Sequence, residues 1–440
     1  MSDERNSSEE SIEALAGMFP DGRTVDTIKD GATGRLRLIC FDGKKYQIED
    51  RISSDGHTFV PPVLDPAAQS AVTLPTQASD YGSTAKLFAQ IQEFLATSGV
   101  SLEVATKVTY FVFQDWLPEM SLPAPCLIIT GPGPESALLL QLLGGVLRRP
   151  LRLVEIDSHA SRALIQYINP TVLVDARHFT ARSLRRLLAT SGFRFFAPAG
   201  GSCFAKAVYV GADIPLEVPS DFAVHVRLAP SPRGVSLLDE KQLNQVTAEL
   251  QAKLVDYRLR NVPKVRSSDF DVPDLDLEAR TVARGIGRSV VDAPELQHGV
   301  RLLLEDRDED LRSTRWTDPT CVTIEVLLDK SHTPQPDGIF VGKVAEAASA
   351  LLQARGASIQ LKARAVGSVL RRLGFASERN GKGTRILVTT KVIRRIHDLA
   401  RDYRVAAVED GIRRCDMCRE IFAVADITES SADVHSEQSL

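Results

Sequence analysis

The sequence has no long apolar run, and this absence excludes several classes of protein. No stretch reaches the roughly 18–20 consecutive apolar residues that a membrane-spanning helix needs. The first ten residues are polar and acidic, so they have neither the apolar segment of a signal peptide nor the basic character of a transit peptide. We therefore expect a cytoplasmic protein with no membrane partner.

Cysteine is scarce as well. Six cysteines are spread over 440 residues, mostly within apolar segments, which favours reduced thiols over a disulfide framework. Cys415 and Cys418 form an isolated C-x₂-C that lacks the second pair of ligands needed to close a zinc site. His397 lies in a predicted helix at a different spacing. The sequence thus predicts no metal site, and it leaves free thiols or a metal clip between molecules as alternatives for this pair.

What the chain does contain is typical of a globular protein. It is 43% hydrophobic and 25% charged, with a net charge of −4, and it is long enough for two to four domains with cores of their own. The polar ends, 1–12 and most of 405–440, are predicted to be disordered. Residues 61–82 are rich in Pro, Ala, Ser and Thr without periodicity, which predicts a linker.

Residues 13–60 are predicted to form a small β-containing unit. A short helix over 12–18 is expected first, followed by strands over 35–41 and 45–49. These two strands flank Asp42-Gly43, a strong signal for a hairpin turn. The sequence assigns no role to this unit.

The central stretch of the chain is 126–138. It reads as an apolar strand, a turn of Gly and Pro, and an apolar helix, which is the layout of a phosphate-binding loop. A working loop has the pattern G-x-x-x-x-G-K-[S/T]. Gly131 opens the pattern and Gly133 lies within the turn. The remaining positions depart from it, with Ser136 at the second glycine, Ala137 at the lysine and Leu138 at the Mg²⁺-binding hydroxyl.

A second element of such a site would be an acidic residue at the end of a later strand. Residues 171–174 form an apolar run that ends in Asp175, where nucleotide-hydrolysing proteins hold Mg²⁺. Ala176 and Arg177 follow, so the glutamate that would orient the attacking water is missing. A strand-end aspartate is also a common turn former or helix cap.

The arrangement of elements predicts an α/β fold. Short apolar strands alternate with helices over 83–235, which favours a mostly parallel core sheet with helices on both faces. Residues 236–317 are predicted to be helical. The order over 318–404 is helix, helix, hairpin and helix, which is that of a winged helix-turn-helix.

Basic charge is concentrated in the last of these regions. Residues 341–404 contain fourteen Lys and Arg against four Asp and Glu, a local balance of +10 that attracts phosphates. We expect nucleic acid to contact this region. The candidate contacts on the second helix, the hairpin and the last helix are Lys362, Arg364, Ser368, Arg371, Arg372, Arg379, Lys382, Arg385, Lys391, Arg394 and Arg395. A basic solvated face or a protein-docking module are the alternatives.

Taken together, these segments resemble the RecA/AAA-type helicase module found beside DNA primases in phages and other mobile elements. The resemblance covers about residues 83–404 and is carried by the order of five features: the sequence Ala-Pro-Cys-Leu-Ile-Ile-Thr-Gly-Pro-Gly over 124–133, Asn-Pro-Thr-Val-Leu-Val-Asp over 169–175, Ala-Lys-Ala-Val-Tyr-Val-Gly over 205–211, Tyr-Arg-Leu-Arg-Asn over 257–261, and the basic winged helix. It implies a P-loop core, a helical lid over 236–317, and a homo-oligomer or a replication or primase partner.

The resemblance also shows where catalysis would fail. The lysine, the Mg²⁺ hydroxyl and the catalytic glutamate are replaced by Ala137, Leu138 and Ala176, and Phe222 stands after Asp221 where active relatives commonly have an arginine. Each such contact contributes on the order of 3–4 kcal/mol to catalysis. We therefore predict no catalytic residues, no cofactor and a DNA-binding protein derived from a primase-associated helicase. An ATP-dependent helicase or translocase that retains ATP and Mg²⁺, and a protein-docking scaffold, are the alternatives.

Overall fold

The computed structural model describes residues 11–97, 99–118, 124–154, 159–177, 179–189, 204–212, 223–230, 239–403, 405 and 415–419. The chain forms two compact units, Met1–Glu305 and Asp306–Leu440. Asp221, Phe222 and most of the predicted disordered ends lie outside the described residues. No helix in the described ranges combines the length and the apolar character needed to cross a bilayer.

Two small sheets account for residues 11–60. Their strands are β1 (Ser11–Glu13), β2 (Ala16–Met18), β3 (Thr24–Lys29), β4 (Leu36–Phe41), β5 (Tyr46–Glu49), β6 (Ile52–Ser54) and β7 (His57–Val60). One sheet has the antiparallel order β2-β3-β4-β5, and the other has the order β1-β7-β6 with β1 parallel to β7. The predicted hairpin at Asp42-Gly43 joins β4 to β5, and Gly43 has a φ of 94° there.

The helix predicted over 12–18 is wrong, because this stretch forms β1 and β2. Its strands pair with β7 and β3, and such long-range pairing leaves no signal in the local pattern. Gly17 also disfavours a helix. The ring of Phe59 occupies the space beside it, so a Cβ at Gly17 would lie 2.4 Å from a ring carbon.

Residues 61–82 differ from the predicted linker. They include α1 (Pro66–Ala71), which Asp65 caps by accepting a hydrogen bond from the backbone N–H of Ala68. Ala68, Val72 and Leu74 are buried in the same apolar cluster as residues of the central sheet. This stretch is therefore a packed part of the first unit.

A five-stranded parallel sheet forms the centre of the first unit and confirms the predicted α/β class. Its elements and the neighbouring helices are α2 (Thr84–Ala96), α3 (Leu102–Asp115), β8 (Cys126–Thr130), α4 (Gly133–Val146), β9 (Pro150–Leu153), α5 (His159–Ile168), β10 (Thr171–Asp175), α6 (Ala181–Ala189), β11 (Lys206–Gly211) and β12 (Val224–Arg227). The strand order is β12-β8-β11-β10-β9, and all pairs are parallel. The strands are apolar because they are buried; Ile128, Val172 and Val208 are fully covered.

The helices that follow are α7 (Glu240–Ser267), α8 (Leu277–Ser289) and α9 (Pro294–Trp316), within the region predicted to be helical. Helix α7 packs closely against α4 because Gly145 has no side chain. A Cβ at Gly145 would lie 2.3 Å from Thr247 Cγ2, whereas a Cβ at the adjacent Gly144 would have no neighbour closer than 3.5 Å. The boundary between the two units falls within α9.

The second unit contains α10 (Pro319–Ser331), β13 (Ile339–Phe340), α11 (Val341–Ala354), α12 (Ala363–Arg372), β14 (Glu378–Asn380), β15 (Gly383–Ile386) and α13 (Thr390–Asp402). Its sheet is antiparallel with the order β13-β15-β14. The predicted helices and hairpin are therefore present. Two residues of the predicted disordered tail, Val405 and Cys418, are buried in the core of this unit.

A buried charge network ties the N-terminal strands to the central sheet. Asp26 on β3 accepts hydrogen bonds from Arg149 Nη2 at 2.6 Å, Arg258 Nε at 2.6 Å and Arg148 Nη2 at 3.1 Å. All four side chains are at most 5% exposed. Burial alone would raise the pKa of Asp26, but the three guanidinium groups hold it below its usual value. Burial and the charge of Arg148 lower the pKa of Arg149 to about 10.

We expect Gly145→Ala to destabilise the first unit by about 1–3 kcal/mol, because the new methyl group overlaps Thr247. Gly144→Ala is the matched control, and it should be neutral or stabilise the protein by up to about 1 kcal/mol through better helix propensity. Urea unfolding followed by Trp116 fluorescence measures the difference in a Trp316→Phe background. Trp116 is buried in the first unit, and the chain has only two tryptophans. Equal losses in both variants would contradict the packing argument.

We expect Asp26→Asn to cost about 3–5 kcal/mol at neutral pH, because it leaves three buried guanidinium groups without their carboxylate. The control is Asp50→Asn. Asp50 is 81% exposed and pairs only at the surface with Arg37, so its loss should change stability by no more than about 0.5 kcal/mol. The same Trp116 assay applies.

The stability difference between wild type and Asp26→Asn should change with pH in one direction. Because folding lowers the pKa of Asp26, its stabilising contribution is present above the unfolded-state value of about 3.9 and is lost as the pH falls toward the folded-state value. The stability difference between wild type and Asp26→Asn should therefore shrink in acid. A difference that stays constant with pH would contradict the assignment of the charge to Asp26.

Candidate functional site

The loop between β8 and α4 keeps the shape that its glycines predict. Gly131 has a φ of 123°, and a Cβ there would lie 2.5 Å from the carbonyl oxygen of Leu228. Only glycine fits this position, for both reasons. Its backbone N–H donates to the carbonyl oxygen of Gly211 at 2.9 Å. The Ser136 hydroxyl donates to the carbonyl oxygen of Pro132 at 2.8 Å and is buried.

Asp175 lies at the same edge of the sheet as this loop, since the carboxyl ends of parallel strands meet there. Its carboxylate is bound by Arg177, with Nη2 at 2.6 Å from Oδ2 and Nε at 2.9 Å from Oδ1. These hydrogen bonds raise the pKa of Arg177. The Asp175 charge is therefore compensated by a neighbour in the chain.

Arg177 also lies against the start of α4. A Cβ at Gly133 would lie 3.0 Å from Arg177 Nη1 and 3.9 Å from Tyr209 Oη. The Arg177 guanidinium is 5.1 Å from the centre of the Tyr209 ring, and the Tyr209 hydroxyl donates to the carbonyl oxygen of Gly131 at 2.8 Å. Side chains of the protein thus lie where a phosphate cradle would be open.

The substituted positions of the loop supply none of the lost chemistry. Ala137 is exposed and has no amine to reach a phosphate, and Leu138 is half-buried and has no hydroxyl to bind Mg²⁺. Sequence reasoning placed Gly131, Gly133 and Asp175 at one site, and the structure brings them to one edge of the sheet. Local sequence patterns do not show that Arg177 and Tyr209 occupy this edge, because Arg177 follows β10 and Tyr209 lies on β11.

The basic candidates of the second unit lie on its surface. Arg364, Ser368 and Arg371 are exposed on α12 at positions i, i+4 and i+7, so they form one stripe along the helix. The opposite face of α12 is held in the core by Val366 and Leu370. We call the three residues of this stripe the α12 stripe.

The other candidates flank the α12 stripe along the chain. Lys362 precedes α12, Arg372 ends it, Arg379 and Lys382 belong to the β14–β15 hairpin, and all four are exposed. Lys391, Arg394 and Arg395 are exposed on α13. Arg395 Nη2 donates to the carbonyl oxygen of Leu373 at 3.4 Å, so α13 reaches the end of α12.

Two of the hairpin cations are already paired. Arg385 is half-buried, and its Nη2 forms an ion pair with Glu378 Oε1 at 2.6 Å. Lys382 Nζ lies 3.0 Å from Asp337 Oδ2. No ion pair within the described part of the chain involves Arg364, Arg371 or Arg379. These three arginines therefore offer uncompensated positive charge to a ligand.

A groove of about 720 Å³ lies between α11, α12 and the β14–β15 hairpin. Lys343, Arg364, Arg371 and Lys382 line it, and Glu346 is its acidic lining residue. Helices α11 and α12 both begin without a side-chain cap, so their first backbone N–H groups are available to an anion. Lys343 pairs with Glu346 and Lys382 pairs with Asp337, so Arg364 and Arg371 are the lining cations without an ion pair among the described residues.

A second constellation in this unit joins two histidines and two cysteines. His332 follows α10 and His397 lies on α13. His332 Nε2 is 3.3 Å from His397 Nε2 and 3.2 Å from Cys418 Sγ, and Cys415 Sγ is 3.3 Å from His397 Nε2. One ligand atom from each residue lies within 4.8 Å of the other three. We call these four residues the Cys₂His₂ cluster.

The environment of the Cys₂His₂ cluster lowers the pKa of one member, His332, and raises the pKa of another, Cys418. Burial and the proximity of His397 lower the pKa of His332. Burial and the adjacent Cys415 raise the pKa of the Cys418 thiol to about 12. The carbonyl oxygen of Ile393 lies 2.9 Å from His397 Nδ1 and accepts a hydrogen bond from it, so the neutral imidazole presents Nε2 as its unprotonated nitrogen. Lone-pair donors of this kind bind metals.

The local sequence around Cys415 and Cys418 lacks a second pair of ligands, but the fold brings His332 and His397 beside them. The position of His397 within a helix, at a different spacing, gives no local signal of this. A search for histidines throughout the unit would have found His332, although it is separated from His397 by a helix pair and a hairpin.

No family model matches the chain, and no curated protein matches it. Among solved structures, the chain is similar to two apo structures of the C-terminal region of NrS-1, at 10% sequence identity and TM-scores of 0.32 and 0.33. The alignments cover 83% of this chain and 97% and 96% of the two NrS-1 chains. TM-scores at this level are too low to carry an argument about function.

The geometry around Asp175 predicts that the protein has no ATPase activity. Phosphate release should equal the background with or without DNA, because the loop lacks its lysine and Arg177 compensates Asp175. Asp175→Ala should leave this rate unchanged. Activity that DNA stimulates and Asp175→Ala abolishes would contradict the prediction.

Proposed function

We propose that this protein binds nucleic acid through a winged helix at 318–404, and that its RecA/AAA-type core is a non-catalytic scaffold. The observation that carries the proposal is the α12 stripe, which places uncompensated arginines beside the cationic groove. Duplex DNA is the expected ligand. The relation to primase-associated helicases and the formation of a homo-oligomer rest on the sequence resemblance alone.

The order of elements in the second unit supports this proposal. A helix and a short strand precede the helix pair α11 and α12, and the hairpin β14–β15 follows. In helix-turn-helix proteins the second helix of the pair enters the major groove. Here that helix is α12, whose buried face is apolar and whose exposed face carries Arg364 and Arg371. The hairpin carries Arg379 and Lys382 at the position of a wing.

The central sheet supports the scaffold part of the proposal. A phosphate-binding loop and an acidic strand end can act on one ligand when they lie at the same edge of a parallel sheet. The order β8-β11-β10 has this arrangement, with the loop after β8 and Asp175 at the end of β10. The loop has lost its catalytic side chains, and Arg177 and Tyr209 lie over it. This combination favours a core that keeps the backbone arrangement of a nucleotide-binding fold but does not catalyse nucleotide hydrolysis.

The test is DNA binding by fluorescence anisotropy, with short labelled duplex and single-stranded probes at about 50 and about 200 mM salt. We expect Arg364→Ala, Arg371→Ala, Arg372→Ala and Arg379→Ala together to weaken duplex binding at least about tenfold at the lower salt concentration. The slope of log affinity against log salt should fall by about one for each lost phosphate contact. ATP with Mg²⁺ should have no effect.

A charge-matched variant controls for the loss of four positive charges. Lys44, Lys45, Arg51 and Lys86 are exposed in the first unit, and replacing them with alanine should leave binding nearly unchanged. Equal weakening by both variants would show that the α12 stripe has no special role. Salt-independent binding to a protein partner without DNA affinity would instead support the docking alternative, and an effect of ATP would support the helicase alternative.

A further inference from the structure

We propose that His332, His397, Cys415 and Cys418 form a structural zinc site that fastens the segment 415–419 to the second unit. The juxtaposition of these four side chains carries the proposal. It holds whether or not the basic surface binds DNA.

The separations between the ligand atoms fit a tetrahedral ion. Zinc bonds of about 2.0–2.1 Å to nitrogen and about 2.3 Å to sulfur place tetrahedral ligand atoms about 3.3–3.8 Å apart. Three of the pairs here, between the two Nε2 atoms, Cys415 Sγ with His397 Nε2, and Cys418 Sγ with His332 Nε2, are separated by 3.2–3.3 Å. One ion at the centre of the cluster can therefore contact all four atoms after small adjustments.

The chemistry of the ligand set selects the metal. Two thiolates and two imidazoles are characteristic of Zn²⁺ in a tetrahedral site, whereas Mg²⁺ and Ca²⁺ prefer oxygen. Four protein ligands also leave no open position for water or substrate, so the site is of the structural kind. Burial agrees with this, because Cys418 is fully covered and His397 is 2% exposed.

The surroundings orient the ligands. The carbonyl oxygen of Ile393 holds Nδ1 of His397, and this contact directs the bare Nε2 toward the cluster. Cys415 and Cys418 are presented by one helical turn, in which the backbone N–H of Arg419 donates to the carbonyl oxygen of Cys415 at 3.0 Å. The C-x₂-C spacing thus directs both Sγ atoms to the same side.

The site would join three separate segments of the second unit. His332 lies at the end of α10, His397 lies within α13, and the cysteines lie beyond α13 in the chain. Cys418 and Val405 belong to the same apolar cluster as Ala400. Zinc would stabilise this packing by linking α10 and α13 to the segment 415–419.

The experiment measures zinc in the full-length protein by mass spectrometry after purification under reducing conditions without chelators. We expect about one zinc ion per chain in the wild type and the loss of most of it in Cys415→Ser and in His397→Gln. Cys321→Ser is the matched control, since Cys321 is a buried thiol of the same unit outside the cluster, and it should retain the zinc. Equal zinc content in all four proteins would overturn the proposal.

Cobalt substitution tests the geometry without any mutation. Wild type reconstituted with Co²⁺ should show the intense visible bands of a tetrahedral ion and the charge-transfer bands of bound thiolates. The weak spectrum of an octahedral ion, or no uptake of zinc and cobalt by the reduced wild type, would overturn the proposal. This arm remains decisive even if the substituted proteins fail to fold.

Discussion

The first unit depends on the carboxylate of Asp26. It is buried among three guanidinium groups that come from the turn after α4 and from α7, so a residue of the N-terminal strands holds two parts of the central layer together. Two of the arginines also donate to backbone carbonyl oxygens. Arg258 donates to the carbonyl oxygen of Trp116 at 2.8 Å, and Arg149 donates to the carbonyl oxygen of Leu15. The desolvation of these charges is costly, and their mutual contacts must offset it. Residues 11–60 are consequently part of the architecture of the first unit.

The backbone shape of the loop after β8 is required by its surroundings. Gly131 is required by its positive φ and by the carbonyl of Leu228, and neither constraint involves a nucleotide. The sheet therefore needs this turn even if no phosphate binds. At the start of α4, the Tyr209 hydroxyl donates to the carbonyl oxygen of Gly131, and Arg177 lies beside Gly133. Both contacts are made within the protein and hold the turn in place without a ligand.

Local patterns predicted the elements that are defined locally. The periodicity of residues 341–354 and the turn at Asp42-Gly43 reproduce α11 and the β4–β5 hairpin, because each depends on neighbouring residues. The strands at 11–18 and the packing of 61–82 depend on distant partners, and periodicity carries no such information. The same limit applies to the sites. Asp26 and Arg258, or His332 and Cys418, become neighbours only when the chain folds, so the sequence alone could place Gly131 and Asp175 but not the groups around them.

Helix α13 links the two features of the second unit. Its buried face supplies His397 to the Cys₂His₂ cluster, and its exposed face carries Lys391, Arg394 and Arg395. Arg395 also contacts the end of α12 through the carbonyl of Leu373. A change in the packing of α13 would therefore move Arg395 relative to the end of α12. The Cys₂His₂ cluster holds the buried face of α13 through His397, and the exposed face of the same helix contributes to the basic surface. The packing of the buried face therefore determines where the exposed charges of α13 lie.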